Sequence, residues 1–318
     1  MVGRGGALES RTLGRIVLGL LWGIGWFYYL LPWPIKKGVA SFFGWGVKLL
    51  GVRSKVLLQN LDLAFPAQSD AEKKAWIYRS TYQHIGYLFF EIFMLFGPIK
   101  KFVQDSTVLN GREKWEAARA QGKGVILLAS HVGNWEVMAA VGAYGGGLDV
   151  LFVTKRLKPS WFHTAMEDAR KRLGILLTYE PRTLRDILNQ IKKGGTVGII
   201  LDQYAGPPIS VRVPVFGTPV GTSNAIATLV KRTGALVLPV VNHRTADGRF
   251  IVEIFDAVPW QEDSHPEKEL AINTARYSEI VEKWILQYPD QWLWTHRRFK
   301  GDLSPLRVGE WEEGRARS

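Results

Sequence analysis

Residues 125–136 read VILLASHVGNWE, and this stretch decides the fold expected for the chain. Its first five residues form an uninterrupted apolar run, which is typical of a strand buried on both faces of a parallel sheet. Residues 196–201 (TVGIIL) form a second run of the same kind. Polar residues follow each run directly. Because ligands of open α/β sheets bind beyond the carboxyl ends of the strands, these polar residues are candidates for a site.

Strands and helices alternate along most of the chain around this stretch. The alternation predicts an α/β fold with a mainly parallel central sheet covered by helices. The last two strands flank the turn residues Asp247-Gly248, which predict a hairpin. The predicted strands are Val125–Ala129, Val150–Thr154, Ile175–Tyr179, Val197–Leu201, Leu236–Val241 and Phe250–Phe255, and the helices between most of them lie at about 134–142, 160–173, 182–193 and 222–233.

His131 and Glu136 are the first candidates for chemistry. On one continuous helix their side chains would be about 140° apart, but Gly133-Asn134 supplies a turn that lets them meet. A carboxylate that accepts a hydrogen bond from one imidazole nitrogen leaves the other nitrogen free to act as a base. Such a base suits the deprotonation of a hydroxyl at neutral pH. Alone, the same spacing also fits a histidine that only closes the end of a strand.

Two later segments add candidate residues. Asp202 and Gln203 follow the second buried run, so the carboxylate is expected at the same edge of the sheet. Residues 213–223 (VPVFGTPVGTS) lead into a helix that Thr222 or Ser223 would cap. The free amides at the start of such a helix can bind an anion or a developing oxyanion.

Residues 291–300 (QWLWTHRRFK) combine two tryptophans with three cations. This combination suits a phosphate or a membrane headgroup. A solvated basic loop is the alternative interpretation.

The N-terminal part contains an uncharged stretch, residues 16–35 (IVLGLLWGIGWFYYLLPWPI). About 20 apolar residues are enough to cross a bilayer, and Pro32 and Pro34 stand where a signal peptide would have a small-residue cleavage site. We therefore expect a membrane-anchoring helix that either spans the bilayer or lies in its interface; a buried helix of a soluble domain is the alternative. The flanking basic residues slightly favour a cytoplasmic body, because three arginines precede the stretch and five cations follow it: Lys36, Lys37, Lys48, Arg53 and Lys55.

Composition excludes several classes of protein. The 318 residues are 47% hydrophobic, which rules out wholesale disorder. The absence of cysteine excludes a disulfide scaffold, a thiolate zinc site and a cysteine nucleophile, and without an HExxH motif we predict no metal and no cofactor. The net charge of +12 favours an anionic partner, and the 13 tryptophans favour a membrane over nucleic acid. No helix-turn-helix, zinc-finger or RNP signature occurs, so no nucleic-acid partner is expected.

These patterns divide the chain into four predicted regions. Residues 1–50 form the membrane anchor and an amphipathic segment, 51–110 a helical region, 111–300 the α/β core and 301–318 a polar tail.

Taken together and in this order, the motifs resemble a known family. They are the HVGNWE box, the aspartate-glutamine pair after a strand, the FGTPV segment and the W-x-H-R-R-F-K end, preceded by Asn60-Leu61 and Ala64-Phe65-Pro66. The set resembles the bacterial lipid A biosynthesis (lauroyl/myristoyl) acyltransferases, within the lysophospholipid acyltransferase superfamily. The resemblance extends over nearly the whole chain.

The resemblance implies transfer of a fatty acyl chain from acyl carrier protein to a hydroxyl of a lipid A precursor, an anionic glycolipid. The expected location is the inner membrane, with the catalytic body on its cytoplasmic face. By the same resemblance, His131 is the base, Glu136 its acidic partner and Asp202 a further catalytic carboxylate. Arg170 matches a basic catalytic position, with Arg172 as a near competitor. Substrate-binding residues are expected among Asn134, Gln203, Phe216, Gly217, Thr222, Arg297 and Arg298.

The expected mechanism is direct transfer without an acyl-enzyme, because the chain has neither a cysteine nor a G-x-S-x-G elbow. Arg170 or backbone amides would stabilise the oxyanion. Two alternatives stay open. A relative of the same superfamily could acylate another glycolipid, such as a phosphatidylinositol mannoside or an ornithine-type lipid, and the chain could also be a non-catalytic membrane lipid-binding protein.

Overall fold

A computed structural model describes the backbone of residues 5–304 and the side chains of residue 14 and residues 16–304. The predicted polar tail lies outside the described residues from position 305 onward. The helices are α1 (Gly5–Leu30), α2 (Trp33–Leu49), α3 (Ser54–Ala64), α4 (Ala71–Met94), α5 (Ile99–Ser106), α6 (Arg112–Arg119), α7 (Trp135–Ala140), α8 (Ser160–Lys171), α9 (Thr183–Lys192), α10 (Ala225–Thr233) and α11 (Pro266–Gln287). The strands are β1 (Thr107–Asn110), β2 (Val125–Ala129), β3 (Val150–Val153), β4 (Leu176–Thr178), β5 (Thr196–Ile200), β6 (Ser210–Val215), β7 (Thr218–Ser223), β8 (Leu236–Arg244) and β9 (Phe250–Ile254).

The predicted mainly parallel sheet is confirmed. Seven strands run in the order β1-β9-β8-β2-β5-β3-β4, and every neighbouring pair is parallel except β8 and β9. That antiparallel pair is the hairpin predicted at Asp247-Gly248. The sequence patterns missed β1, as well as β6 and β7, which form a separate two-stranded sheet.

The strand order places the ends of the two most apolar strands side by side. β5 returns between β2 and β3, and Ala129 at the end of β2 pairs with Ile200 at the end of β5. The residues that follow these strands, including His131 and Asp202, therefore emerge at the same edge of the sheet.

Both faces of the sheet are covered, as a parallel sheet requires. Side chains alternate between the faces along each strand. Leu127 and Ala129 of β2 pack with residues of α5, α7 and α8. Ile126 and Leu128 of the same strand pack with residues of α3, α9, α10 and α11. The continuous apolar run of β2 is the consequence of this two-sided burial.

The uncharged stretch 16–35 does not form one continuous helix, which corrects the expectation of a single anchoring helix. α1 ends at Leu30 and α2 begins at Trp33, because Pro32 and Pro34 interrupt the backbone hydrogen bonds of a continuous helix. Over residues 5–304, no helix combines the length and the apolar character needed to cross a membrane.

Two glycines allow α2 to lie directly against α4. A Cβ atom on Gly86 of α4 would overlap the carbonyl group of Ala40, and one on Gly44 of α2 would overlap the carbonyl group of Tyr82. Phe43 of α2 stacks on Phe89 of α4, with ring centroids 4.2 Å apart. Close backbone contact at the two glycines and aromatic stacking together fix α2 on α4.

We expect Gly86→Ala to lower the free energy of unfolding by about 1–3 kcal/mol, because the added methyl group meets a backbone carbonyl that cannot move aside. The matched control is Gly38→Ala on α2, where a Cβ atom meets nothing within 4 Å. Removing an exposed helical glycine should stabilise α2 by up to about 1 kcal/mol. Urea unfolding of both variants measures the difference, and equal stabilities would contradict the close packing.

Candidate active site

A large cleft opens at the carboxyl edge of the sheet, beyond β2, β3 and β5. Its volume is about 1070 Å³. Polar side chains line one part of it, namely His131, Glu136, Thr154, Arg170 and Gln203. Apolar side chains line most of the rest, including Phe152, Leu177, Leu184, Ile199 and Leu229. The cleft thus combines a small polar centre with walls suited to hydrocarbon.

Asp202, at the end of β5, holds the ring of His131. Its Oδ1 lies 2.7 Å from Nδ1 of His131, and its Oδ2 accepts the backbone amide of the same histidine at 2.8 Å. The indole of Trp292 donates a further bond to Oδ2 at 2.7 Å. With Nδ1 engaged by the carboxylate, Nε2 faces the cleft, where the amide nitrogen of Gln203 lies 3.5 Å away. The ring is therefore fixed with one nitrogen available to a substrate.

The two partners shift each other's pKa in opposite directions. Burial lowers the pKa of His131, but the charge and hydrogen bond of Asp202 raise it by more, so the net pKa lies above its ordinary value. Burial alone would raise the pKa of Asp202, but the positive charge of His131 and three hydrogen bonds, two from His131 and one from Trp292, lower it to about 2. Asp202 is therefore a carboxylate throughout the neutral range.

The structure corrects the predicted role of Glu136. The carboxylate that contacts His131 belongs to Asp202, whereas Glu136 pairs with Arg170 through two bonds of 2.5 and 3.1 Å. Arg170 also donates to Thr154 Oγ1 at 3.2 Å, and the pair lines the cleft. Burial lowers the pKa of Arg170, but Glu136 raises it above its ordinary value, so the guanidinium keeps its charge.

Asn134 shapes the loop that carries His131. Its Oδ1 accepts the amides of Glu136 and Val137 at 3.0 and 3.2 Å, which caps α7. Gly133, just before it, has a φ of +67°, and a Cβ atom there would overlap the carbonyl of Asn242. Asn134 is 3% exposed, and its side chain bonds groups of the protein. It does not line the cleft, although the sequence predicted that it binds substrate.

A buried ion pair contacts this loop through the side chain of Asn134. Glu91 of α4 and Arg244 of β8 are 4% and 7% exposed, and Arg244 Nη2 lies 2.6 and 2.7 Å from the two carboxylate oxygens. Asn134 donates to the same carboxylate at 2.8 Å. Gln291 completes the support, because its side chain bonds the backbone of Arg244 and its carbonyl accepts the amide of Gly133.

Phe216, Gly217 and Thr222 lie outside the cleft lining, in contrast to the prediction. Phe216 and Gly217 have φ values of +49° and +76° and form the two-residue turn between β6 and β7. Thr222 is a fully buried residue of β7. It does not cap the next helix, whose N-cap residue is Asn224 without a side-chain cap bond.

The two arginines near the end of the chain have different surroundings. Arg298 is 2% exposed and donates to the carbonyls of Gln203 and Gly221 and to Thr222 Oγ1, so it ties the β6–β7 sheet to the strand ends. Arg297 is exposed. Trp292 and Trp294 are buried, because their rings fill the core instead of facing a headgroup.

Sequence reasoning missed several residues on which the site depends. The contact of Trp292 with Asp202 and the pairing of Glu91 with Arg244 have no local sequence signal, because each joins elements far apart in the chain. The tryptophan-rich motif at 291–300 pointed to its importance but not to its partner. Within residues 5–304, no group of three or more His, Asp or Glu side chains is arranged to hold a metal ion.

The chain is similar to known proteins over most of its length. The profile of the family described as "Bacterial lipid A biosynthesis acyltransferase" matches residues 5–301. The lipid A biosynthesis lauroyltransferase of Escherichia coli K12 is 28% identical over 282 residues, 87% of this chain and 89% of that protein. The palmitoleoyltransferase of the same strain is 27% identical over 295 residues, with the same coverage. A phosphatidylinositol mannoside acyltransferase of Mycobacterium tuberculosis H37Rv is 26% identical over 206 residues, 63% of this chain and 62% of that protein.

We expect Asp202→Asn to lower the pKa of His131 below its ordinary value of 6.5, because the substitution removes the charge that raises the pKa and leaves the burial that lowers it. NMR titration of the labelled histidine ring measures the change. Asp263→Asn beside the exposed His265 is the control and should leave His131 unaffected. An identical titration of His131 in wild type and Asp202→Asn would contradict the pairing.

Proposed function

The chain belongs to the bacterial lipid A biosynthesis acyltransferase family, and on this premise we propose that it transfers a fatty acyl chain from acyl carrier protein to a hydroxyl of a lipid A precursor. The observation that carries the proposal is the histidine at the polar centre of the cleft. Nδ1 of His131 is engaged by Asp202, and Nε2 faces a space large enough for lipid chains.

In the proposed reaction, Nε2 of His131 removes the proton of the acceptor hydroxyl, and the resulting oxygen attacks the carbonyl carbon of the donor thioester. The carbon–sulfur bond then breaks, and the proton held by His131 passes to the departing thiolate. Asp202 stabilises the imidazolium that forms between these steps, as a carboxylate with a pKa of about 2 can do at neutral pH. No covalent acyl-enzyme is required.

Arg170 is the proposed source of positive charge beside the reaction. Glu136 holds its guanidinium through two bonds, and the remaining nitrogen points to Thr154 at the wall of the cleft. A fixed cation costs little reorganisation when negative charge develops on the substrate. We assign Arg170 to the oxyanion or to an acceptor phosphate, and Glu136 to positioning Arg170.

Cations at the rim of the cleft are the argument for an acidic protein as the acyl donor. Lys155 and Arg232 line the cleft, and Arg156, Lys158 and Arg182 are exposed next to lining residues in the chain. Within residues 5–304, neither Lys155 nor Arg232 has an ion-pair partner. The five cations exceed the one acidic residue that lines this part of the cleft, Glu180, and such an excess attracts an acidic carrier protein and raises its rate of association.

The first two helices carry exposed side chains suited to a membrane interface. We call this set the N-terminal apolar surface. Tryptophan and phenylalanine favour the boundary between lipid and water, and nearby lysines favour anionic headgroups. We propose that this surface holds the enzyme on the inner membrane, with the cleft on the cytoplasmic side. Its members are Ile16, Leu20, Trp22, Phe27, Leu30, Ile35, Phe42, Trp45 and Leu49.

A second acceptor is favoured by one observation. The mannoside acyltransferase of M. tuberculosis matches 63% of this chain, so a glycolipid built on phosphatidylinositol is the alternative acceptor for the same chemistry. Supplying both acceptors to the enzyme distinguishes these two possibilities.

We expect His131→Ala to reduce acyl transfer by about 10²–10⁴-fold, because the general base is lost. The assay supplies labelled acyl carrier protein and the Kdo-modified tetra-acylated lipid A precursor to membranes that contain the enzyme. Mass spectrometry then detects the gain of one acyl chain. Transfer by the wild type should increase as the pH rises through the raised pKa of His131, because only the neutral ring accepts a proton.

His265→Ala is the matched control, because the side chain of His265 is 80% exposed. Acyl coenzyme A in place of the carrier protein tests the donor. Full transfer by folded His131→Ala would overturn the role of His131. Absence of transfer by the wild type to the lipid A precursor, with transfer to the mannoside, would reassign the acceptor.

We expect Phe42→Asp to weaken binding to anionic phosphatidylglycerol vesicles by about tenfold or more, because a ring that contributes roughly 1.5–3 kcal/mol on burial is replaced by a charge. Phe42 is 74% exposed, so the fold should tolerate the change. Leu286→Asp on α11, where the leucine is 42% exposed, is the control. Vesicle flotation measures binding, and equal flotation of both variants would contradict a lipid contact at α2.

A further inference from the structure

A second cavity lies behind the cleft, on the α7 side of the sheet. It is small, about 20 Å³, and all of its lining residues are apolar or glycine. They come from strands β1, β2, β3, β5, β8 and β9 and from α7 and the turn that follows it. A cavity of this kind has no polar partner for water and stays dry.

Four residues line both the cleft and this second cavity: Met138, Ala139, Phe152 and Gly198. Phe152 and Gly198 are directly opposite each other on β3 and β5. A Cβ atom on Gly198 would lie 2.7 Å from Cε1 and 3.0 Å from Cδ1 of Phe152, so the ring lies over the glycine. The ring of Phe152 is therefore the partition between the two spaces, and the absence of a side chain at position 198 makes room for it.

We propose that the acyl chain transferred by this enzyme runs along the α7 side of the cleft and ends at Phe152, which limits its length. The second cavity is the space into which a longer chain would extend if the ring were smaller. This inference rests on the proposed function and deepens it by naming the residue that selects the donor chain.

The chemistry of the walls favours hydrocarbon as the occupant. The path from the polar centre to Phe152 passes Trp135, Met138 and Ala139 of α7, which are apolar and line the cleft. Beyond Phe152, the walls offer neither a charge nor a side-chain hydrogen bond. A saturated chain gains free energy from each methylene group that leaves water, whereas a sugar or a phosphate would lose its hydrogen bonds there.

The wall behind Phe152 also contains an unused space at Gly142. This residue belongs to the π-helical turn 141–145 that follows α7, and it lines the second cavity. A Cβ atom on Gly142 would meet only Leu148 Cδ2, at 4.0 Å. A Cβ atom is therefore accommodated at this position, so we expect a valine here to reduce the free volume of the second cavity, which provides a variant with the opposite effect.

The test is a competition assay with an equimolar series of even-numbered saturated acyl carrier proteins, in which mass spectrometry reads the product distribution. Phe152→Ala should shift the preferred chain upward by at least two carbons. With about 0.8 kcal/mol for each buried methylene, two methylenes correspond to roughly a 15-fold change in relative preference. Gly142→Val added to Phe152→Ala should reverse the shift.

Phe162→Ala is the matched control, because it removes a half-buried ring from the same core and lines neither cavity. Phe152→Leu replaces Phe152→Ala if the larger deletion prevents folding. An unchanged product distribution in a folded Phe152 variant would overturn the inference.

A second readout separates this inference from the proposed function. Free fatty acids of graded length are bound to the same variants, and thermal shift measures their relative affinities without an acceptor or a transfer step. A shift toward longer fatty acids in the Phe152 variant supports the subsite even if the wild type acylates no lipid A precursor. Transfer by the wild type together with identical length profiles in both readouts would leave the proposed function intact and overturn the subsite.

Discussion

The hydrogen bond between His131 and Asp202 is the contact on which the site depends. It joins the ends of β2 and β5, which are neighbours only because β5 returns between β2 and β3. Trp292, from the far end of the chain, donates to the same carboxylate. Three segments, separated along the chain by 71 and then by 90 positions, therefore meet at one buried charge. That charge fixes which nitrogen of the imidazole faces the cleft.

A second buried interaction links this centre to the N-terminal helices. Glu91 of α4 binds both Arg244 of β8 and Asn134 of the histidine loop. Since α4 also packs against α1 and α2, the same helix contacts the two helices that carry the N-terminal apolar surface and the loop that carries His131. A buried ion pair contributes little net stability, but loss of one partner leaves an uncompensated charge. Here the pair ties α4, and with it α1 and α2, to the loop that carries His131.

The cleft reflects the architecture of a covered parallel sheet. It lies across the strand ends, so its walls come from both faces: Phe152 and Gly198 on the α7 side, and Ile199 and Leu229 on the side of α9 and α10. Apolar walls on both sides of the polar centre fit the proposed reaction between two lipid-bearing substrates. On the α7 side, the ring of Phe152 separates the cleft from the small apolar cavity behind it, and this is why we propose that the ring limits the acyl chain.

The sequence by itself determined the layered fold, because the burial of each strand and helix leaves a local pattern of apolar residues. The sequence motifs also placed His131 and Asp202 at the ends of strands. Only the tertiary structure decided how the side chains pair. Glu136 follows His131 closely in the chain but faces Arg170, whereas Asp202 is 71 positions away and contacts the ring. Arg298 resembles a surface cation in sequence and is buried among the carbonyl groups of Gln203 and Gly221. The physical reason is that strand order and loop packing set these distances, and neither is encoded by spacing along the chain.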